Sequence, residues 1–152
     1  MDLTKMIYEA KTRLEGNIVK TPILSSPFLD AIAGKKILIK AECLQKTGSF
    51  KYRGAWAAIS ALKKKVRDNG VLAYSSGNHA QGIAAVSKVF NIPSVIIMPN
   101  DAPTLKIKNT MAYGAEVITY DRLTESRENI GRDLATKRGL TLVKPYDDFN
   151  VI

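Results

Sequence analysis

A chain of 152 residues is long enough for one full core, or for one domain and part of another, and its 45% hydrophobic and 24% charged content is that of an ordinary globular protein. Lys and Arg outnumber Asp and Glu by 23 to 14, a net charge of +9. Only Lys63, Lys64, Lys65 and Arg67 cluster, however, without aromatic interleaving or zinc-finger spacing, so nucleic acid is not an expected partner. The longest apolar runs are too short to cross a bilayer, the N-terminus carries no apolar signal segment, and the single cysteine, Cys43, excludes an internal disulfide and is expected to be a small packed hydrophobe; a cytoplasmic location without a membrane partner is expected.

In chain order, an amphipathic helix is expected near residues 3–15, followed by Thr21-Pro22 and a strand at about 36–42 (KILIKAE). A polar turn, Gln45-Lys46-Thr47-Gly48-Ser49, leads into a long helix that runs to about Val66. From residue 70 onward strand and helix alternate. Residues 71–75 (VLAYS) form a short apolar run, and 79–90 (HAQGIAAVSKVF) place Ile83, Val86 and Phe90 on one helical face. Residues 94–98 (SVIIM) are apolar throughout, as expected of a parallel strand covered on both sides. Pro103 suits the first turn of the next helix and Gly114 its C-cap. Residues 115–120 (AEVITY) alternate as a strand, a helix spans about 124–138 before Gly139, and 140–143 form a fourth strand. Three strand-helix units in succession predict an α/β fold with a small open parallel sheet and helices on both faces. Two helices and an isolated strand in residues 1–68 do not complete a sheet, so they are assigned to part of a second domain, and 69–148 to the small α/β domain.

Two segments carry chemistry. Lys51 is expected in the first turn of a helix, with Ser49 as its N-cap, and the positive end of the helix disfavours an ammonium there. A neutral amine is what condensation with an aldehyde needs. The second segment, Ser75-Ser76-Gly77-Asn78-His79-Ala80-Gln81-Gly82, falls between a parallel strand and its helix, where free N–H groups meet anions. Two hydroxyls, an amide and an imidazole converge on that turn, and a small anion such as an amino-acid carboxylate suits it. The turn lacks the glycine spacing of a dinucleotide site. One histidine and one cysteine do not make a transition-metal site.

K-T-G-S-F-K-Y-R-G-A and S-S-G-N-H-A-Q-G, together with Met98-Pro99, Ala102-Pro103, Lys106, Thr110, Tyr113-Gly114-Ala115-Glu116-Val117, Glu125-Ser126-Arg127-Glu128 and Pro145-Tyr146-Asp147-Asp148, resemble the fold-type II pyridoxal-phosphate enzymes of the threonine/serine dehydratase and serine racemase group. The resemblance covers essentially the whole chain as the family's N-terminal half. It implies that pyridoxal 5'-phosphate is held by Lys51, which also moves the substrate α-proton. Phe50 would pack beside the cofactor and Asn78 would bond a ring oxygen. Ser75, Asn78 and His79 would hold the substrate carboxylate, and Arg127 would reach it on closure. Ser76 would act with Lys51 on the opposite side of the substrate, as in a racemase. Residues 1–68 would belong to the larger cofactor domain and 149–152 to the return towards it.

The reaction so implied is deamination of a hydroxy amino acid to a 2-oxo acid and ammonia, with serine racemisation as the alternative. Threonine, serine and hydroxyaspartate are not distinguished as substrates. The family's glycine-rich phosphate loop, and the Ser or Cys at the pyridine nitrogen, lie later than the residues matched. All ten glycines here are isolated. The expectation is therefore weak cofactor binding and little catalysis by these residues alone, completed by a C-terminal half or a homo-oligomer. A third reading is a non-catalytic α/β module that binds an anion or a partner, marked by an apolar patch near residues 18–44.

Overall fold

Four parallel strands in the order β5-β4-β3-β6 form the centre of the protein, described for residues 2–151 in a computed structural model. They are β3 (Val71–Tyr74), β4 (Ser94–Pro99), β5 (Glu116–Tyr120) and β6 (Thr141–Leu142), linked by α5 (Asn78–Phe90), α6 (Thr104–Ala112) and α7 (Arg127–Arg138). Ahead of them come α1 (Leu3–Leu14), β1 (Ile23–Leu24), α2 (Pro27–Ala33), β2 (Ile39–Lys40), α3 (Lys51–Ala61) and α4 (Lys64–Arg67). The register pairs Val71 with Ser94 and with Thr141, and Val95 with Glu116.

Period-two alternation sorts the central strands onto two cores. Val71, Ala73, Ile96 and Met98 face α3 and α5, packing with Trp56, Ile59, Ile83 and Val86. Leu72, Tyr74, Val95 and Ile97 face the other way, against Ile130 and Leu134 of α7. Every residue of β3 and β4 is buried, which is why these strands read as unbroken apolar runs. Across residue 68 the packing is continuous, because α3 shares one core with α5 and β3. Trp56 donates its indole N–H to the Arg13 carbonyl at 2.7 Å and ties α1 to α3.

Several local expectations are corrected. The strand expected over 36–42 is only Ile39–Lys40, paired antiparallel to Ile23–Leu24, and α2 lies between the two. Ser26 caps α2, Pro27 opens it, and Gly34 closes it in the left-handed region at φ 64°. The helix expected to reach Val66 stops at Ala61. Leu62 and Lys63 are extended, which lets Leu62 pack on the core and sets Arg67 over the Phe90 ring at 4.5 Å. The last helix begins at Arg127, not 124, with Ser126 as N-cap. Ser49 is not the cap of α3: it is extended and buried, its Oγ has no partner, and Phe50 occupies the cap position. Cys43 is exposed, not packed.

The N-terminal segment is anchored by a half-buried polar cluster. Glu42 accepts from Arg53 Nε at 2.8 Å and Nη2 at 2.7 Å, and from Thr21 Oγ1 at 2.5 Å. The Arg53 hydrogen bonds hold the Glu42 carboxyl down at about 2 against the opposing effect of burial. Around this anchor the surface is apolar: Phe28 is 74% exposed and Ile32 70%, with Ile23, Leu24, Leu38 and Leu44 also exposed. No helix among the described residues is long and apolar enough to cross a membrane.

Candidate active site

The strand order places the site. β4 and β5 build outward on one side of β3, whereas β6 returns to its other side, so the chain switches direction at β3. Crevices in open α/β sheets form at the carboxyl ends of strands at such a switch. A cleft of 390 Å³ lies there, within the usual range for small-molecule sites. The loop after β3 supplies Ser75, Ser76 and Gly77, the loop after β6 supplies Pro145 and Tyr146, and Lys51, Asn78, His79, Pro103 and Lys106 complete the lining. A second concavity of 1580 Å³ runs between α1, α3 and residues 145–151, and Lys51, Pro145 and Tyr146 border both.

Lys51 is the first residue of α3, and its half-buried amine donates to the Pro145 carbonyl at 2.6 Å. The amine has no carboxylate within ion-pair distance among the described residues. Phe50 is 56% exposed; its ring centroid lies 5.2 Å from the Lys51 amine, and the ring faces the larger concavity.

The turn before α5 is shaped by close approach. Gly77 donates its N–H to Ser75 Oγ at 3.2 Å, and a Cβ on Gly77 would come within 2.9 Å of Lys106 Cδ. The first N–H of α5 to bond within the helix is that of Gln81, to Gly77, so those of Asn78, His79 and Ala80 point beyond the helix end, where an anion is favoured. Lys106 donates to Asn78 Oδ1 at 2.6 Å. Since an ammonium cannot accept, this bond turns the Asn78 NH2 into the group left to donate.

His79 behaves differently from a substrate-facing imidazole. It is 2% exposed, and its Nε2 donates to the Val143 carbonyl at 3.1 Å. That bond fixes the tautomer and leaves Nδ1 as a buried acceptor without a partner. Burial, reinforced by the Lys51 charge and only partly offset by the Val143 bond, lowers its pKa to about 4. The imidazole is neutral at pH 7, and what His79 can offer an anion is its backbone N–H.

Arg127 stands at the rim. Its Nη2 donates to Tyr146 Oη at 2.7 Å, its Nε to Glu128 at 2.7 Å, and its guanidinium lies 5.2 Å from the Tyr74 ring centroid. Lys51, Ser75, Ser76, Asn78 and His79 therefore share one cleft, and Arg127 joins it through Tyr146. Five lining residues have no site role in the sequence reading: Gly77, Pro103, Lys106, Pro145 and Tyr146. Lys106 did carry a signal, because a cation in the first turn of a helix opposes the dipole and calls for a compensating partner.

Beneath the site, Gly82 of α5 meets the backbone of α3. A Cβ there would lie 3.1 Å from the Lys51 carbonyl oxygen and 3.4 Å from Tyr52 N. Both contacts are main chain, so the helices must separate. Gly82→Ala gains up to about 1 kcal/mol of helix propensity against ~1–3 kcal/mol of overpacking, a net loss of about 1 kcal/mol. A lowered urea midpoint at unchanged m-value is the expected result.

A half-buried amine stands beside an open helix end at the switch point of an α/β sheet, the place where folds of this class form ligand crevices. The sequence profile described as "Pyridoxal-phosphate dependent enzyme" matches residues 14–152, and the chain belongs to that family. It is 49% identical over 146 residues to L-threo-3-hydroxyaspartate ammonia-lyase of Pseudomonas sp, covering 96% of this chain and 46% of that protein. Serine racemase of Schizosaccharomyces pombe is 42% identical, covering 96% and 45%. Maize serine racemase superposes with a TM-score of 0.90 at 38% identity, covering 96% of this chain and 45% of its own. The chain thus spans less than half the length of the curated relatives it matches.

The family's cofactor is pyridoxal phosphate, and the cleft fits its aldehyde and ring. Lys51 offers an amine whose one described partner is a carbonyl, Asn78 a donor NH2, and among the described residues no carboxylate lines the wall to repel the cofactor's negative charge.

Proposed function

We propose that this chain forms the lysine-bearing half of a pyridoxal-phosphate-dependent ammonia-lyase that converts a hydroxy amino acid into a 2-oxo acid and ammonia. The observation that carries this reading is the meeting of the Lys51 amine with the open N-terminus of α5 in one cleft without acids. When bound, the cofactor supplies an electron sink for negative charge developing at the substrate Cα. Lys51 holds the cofactor's aldehyde carbon and moves the α-proton. Asn78 donates to a ring oxygen, and Phe50, which faces the larger concavity, flanks the Lys51 amine from that side. Ser75 and the N–H groups of Asn78 and His79 take the α-carboxylate, and Arg127 closes on it through Tyr146. Proton transfer by a positioned amine contributes about 10²–10⁴-fold.

The remainder of a protein of the relatives' length, or a second copy of this chain, would cover the apolar surface around Phe28 and Ile32 and fill the larger concavity. A reducing cytoplasm suits the exposed thiol of Cys43.

Reduction with borohydride in the presence of pyridoxal phosphate, followed by peptide mapping, tests the reading. Label is expected on Lys51 ahead of the other lysines, and label spread over surface lysines refutes it.

Ser76 favours a second reading, serine racemisation. It lines the cleft with Lys51 and its side chain is exposed. Ser76→Ala is expected to abolish α-carbon inversion while leaving 2-oxo acid formation within about threefold, since elimination needs proton transfer only from the lysine side. Chiral chromatography alongside a keto-acid assay separates the two.

A further inference from the structure

We infer that His79 is a positioning residue for Lys51: its buried ring holds the Val143 carbonyl, and with it the stretch of chain whose Pro145 carbonyl receives the Lys51 amine. That this placement serves capture of the cofactor rests on the ammonia-lyase reading of the cleft.

The stretch after β6 has little else to fix it. β6 ends at Leu142, and one further ladder bond runs from the Val143 N–H to the Leu72 carbonyl at 2.8 Å. From Lys144 to Asp148 no main-chain N–H meets a backbone acceptor among the described residues. Side chains hold the stretch instead. His79 donates to the Val143 carbonyl at 3.1 Å, Lys51 to the Pro145 carbonyl at 2.6 Å, and Arg127 to the Tyr146 hydroxyl at 2.7 Å. Only the His79 ring among these three is fully buried. Lys51 must leave Pro145 to bond an aldehyde, and Arg127 stands at the rim, so His79 is the tie that persists.

The tie is anchored in a rigid body. His79 sits in the first turn of α5, whose Ala80, Ile83, Ala84 and Val86 are buried in the core shared with α3. The same helix meets Lys51 from beneath, where a Cβ on Gly82 would lie 3.1 Å from the Lys51 carbonyl oxygen. α5 therefore sets the main chain of Lys51 through Gly82 and the acceptor of its amine through His79. Its open N–H groups face the same cleft, so one helix fixes the amine relative to the anion-favouring end.

Packing alone does not account for an imidazole at this place. Nδ1 is buried without a partner, a cost that an apolar side chain of similar size avoids. What the imidazole adds over such a side chain is the bond donated to Val143.

Reductive methylation with formaldehyde, read lysine by lysine by mass spectrometry on the 152-residue chain, reports how firmly each amine is held without any cofactor. His79→Leu keeps the bulk and removes the donor. It is expected to raise the rate at Lys51 at least about threefold, the size of one released hydrogen bond, with the other lysines unchanged. His79→Gln, which can donate to Val143, should keep the parent rate. Ile83→Val, which loosens α5 in the core without touching Val143, should keep it too. With pyridoxal phosphate and borohydride the sign reverses: the share of label on Lys51 should fall about tenfold in His79→Leu, because an amine out of place loses its orientation toward the bound aldehyde. Greater exposure by itself would raise both signals.

An unchanged methylation rate at Lys51 in His79→Leu overturns the assignment. So does an equal rise in His79→Gln or Ile83→Val, or a pyridoxal-phosphate label that holds or grows in His79→Leu where the parent carries it. His79→Met gives the same reading if the Leu variant does not fold. Absence of label on Lys51 in the parent sinks the ammonia-lyase reading separately, and the methylation rates still decide whether His79 positions the amine.

Discussion

Lys51→Ala is expected to abolish borohydride-fixed pyridoxal phosphate and to lower 2-oxo acid production by the whole enzyme by at least ~10³-fold, because in the proposed function one amine both holds the cofactor and moves the proton. The geometry makes this substitution local. The Lys51 side chain is half-buried and spends its one described hydrogen bond on the Pro145 carbonyl, which can turn to water in the cleft. The core of α3 is carried by Tyr52, Ala55, Trp56 and Ile59. The urea midpoint should therefore move little while the label disappears. Retention of the label on the same peptide, or activity within tenfold of the parent, would show that another amine carries the cofactor.

The second large effect concerns pH and His79. In the unfolded chain the imidazole titrates near 6.5, whereas in the folded protein burial lowers it to about 4. Between these values the unfolded state binds a proton that the folded state refuses, so stability rises with pH through this window. His79 thus contributes stability that is fully present above pH 6.5 and is lost as the pH falls through 4, in total about 3 kcal/mol. The Glu42 carboxyl, held at about 2 by Arg53, adds a separate loss that begins only below the ordinary carboxylate range. Urea denaturation at half-unit steps from pH 7.5 to 3.5 should show the His79 slope, and His79→Gln, which retains a donor for Val143, should flatten it between 6.5 and 4. Parallel curves for parent and variant would contradict the buried, neutral imidazole. A ring locked neutral as donor to Val143 is also poorly placed for proton transfer at pH 7, in keeping with the proposal that Lys51 and Ser76 do that work.

The readability of the chain follows the range of the interactions involved. The α2 segment carried local signals, Ser26-Pro27 at its start and Gly34 at its end, yet its apolar Phe28 and Ile32 face outward, so periodicity gave no core face to find. The break at Leu62 had no local signal: Leu62 and Lys63 have no bar to helix, and the turn answers to packing on Phe90 and the core. Ser49 reads as an N-cap by type, but its extended backbone buries the hydroxyl without a partner.

By themselves, the residues determined what depends on short spacing. Apolar runs of four to six residues, separated by helical periods, required a parallel sheet covered on both sides. The Lys51 and Ser75-to-Gly82 segments named a helix-head amine and a turn at an open helix start. Tertiary structure alone decided what depends on separations of tens of residues. It brought Pro145 to Lys51, Val143 to His79 and Lys106 to Asn78, across 94, 64 and 28 positions. The order β5-β4-β3-β6 does this by returning β6 to the open side of β3. Whether an imidazole meets solvent or a carbonyl, and whether a lysine meets an acid or a neutral oxygen, is settled by burial and distance, which no local pattern encodes.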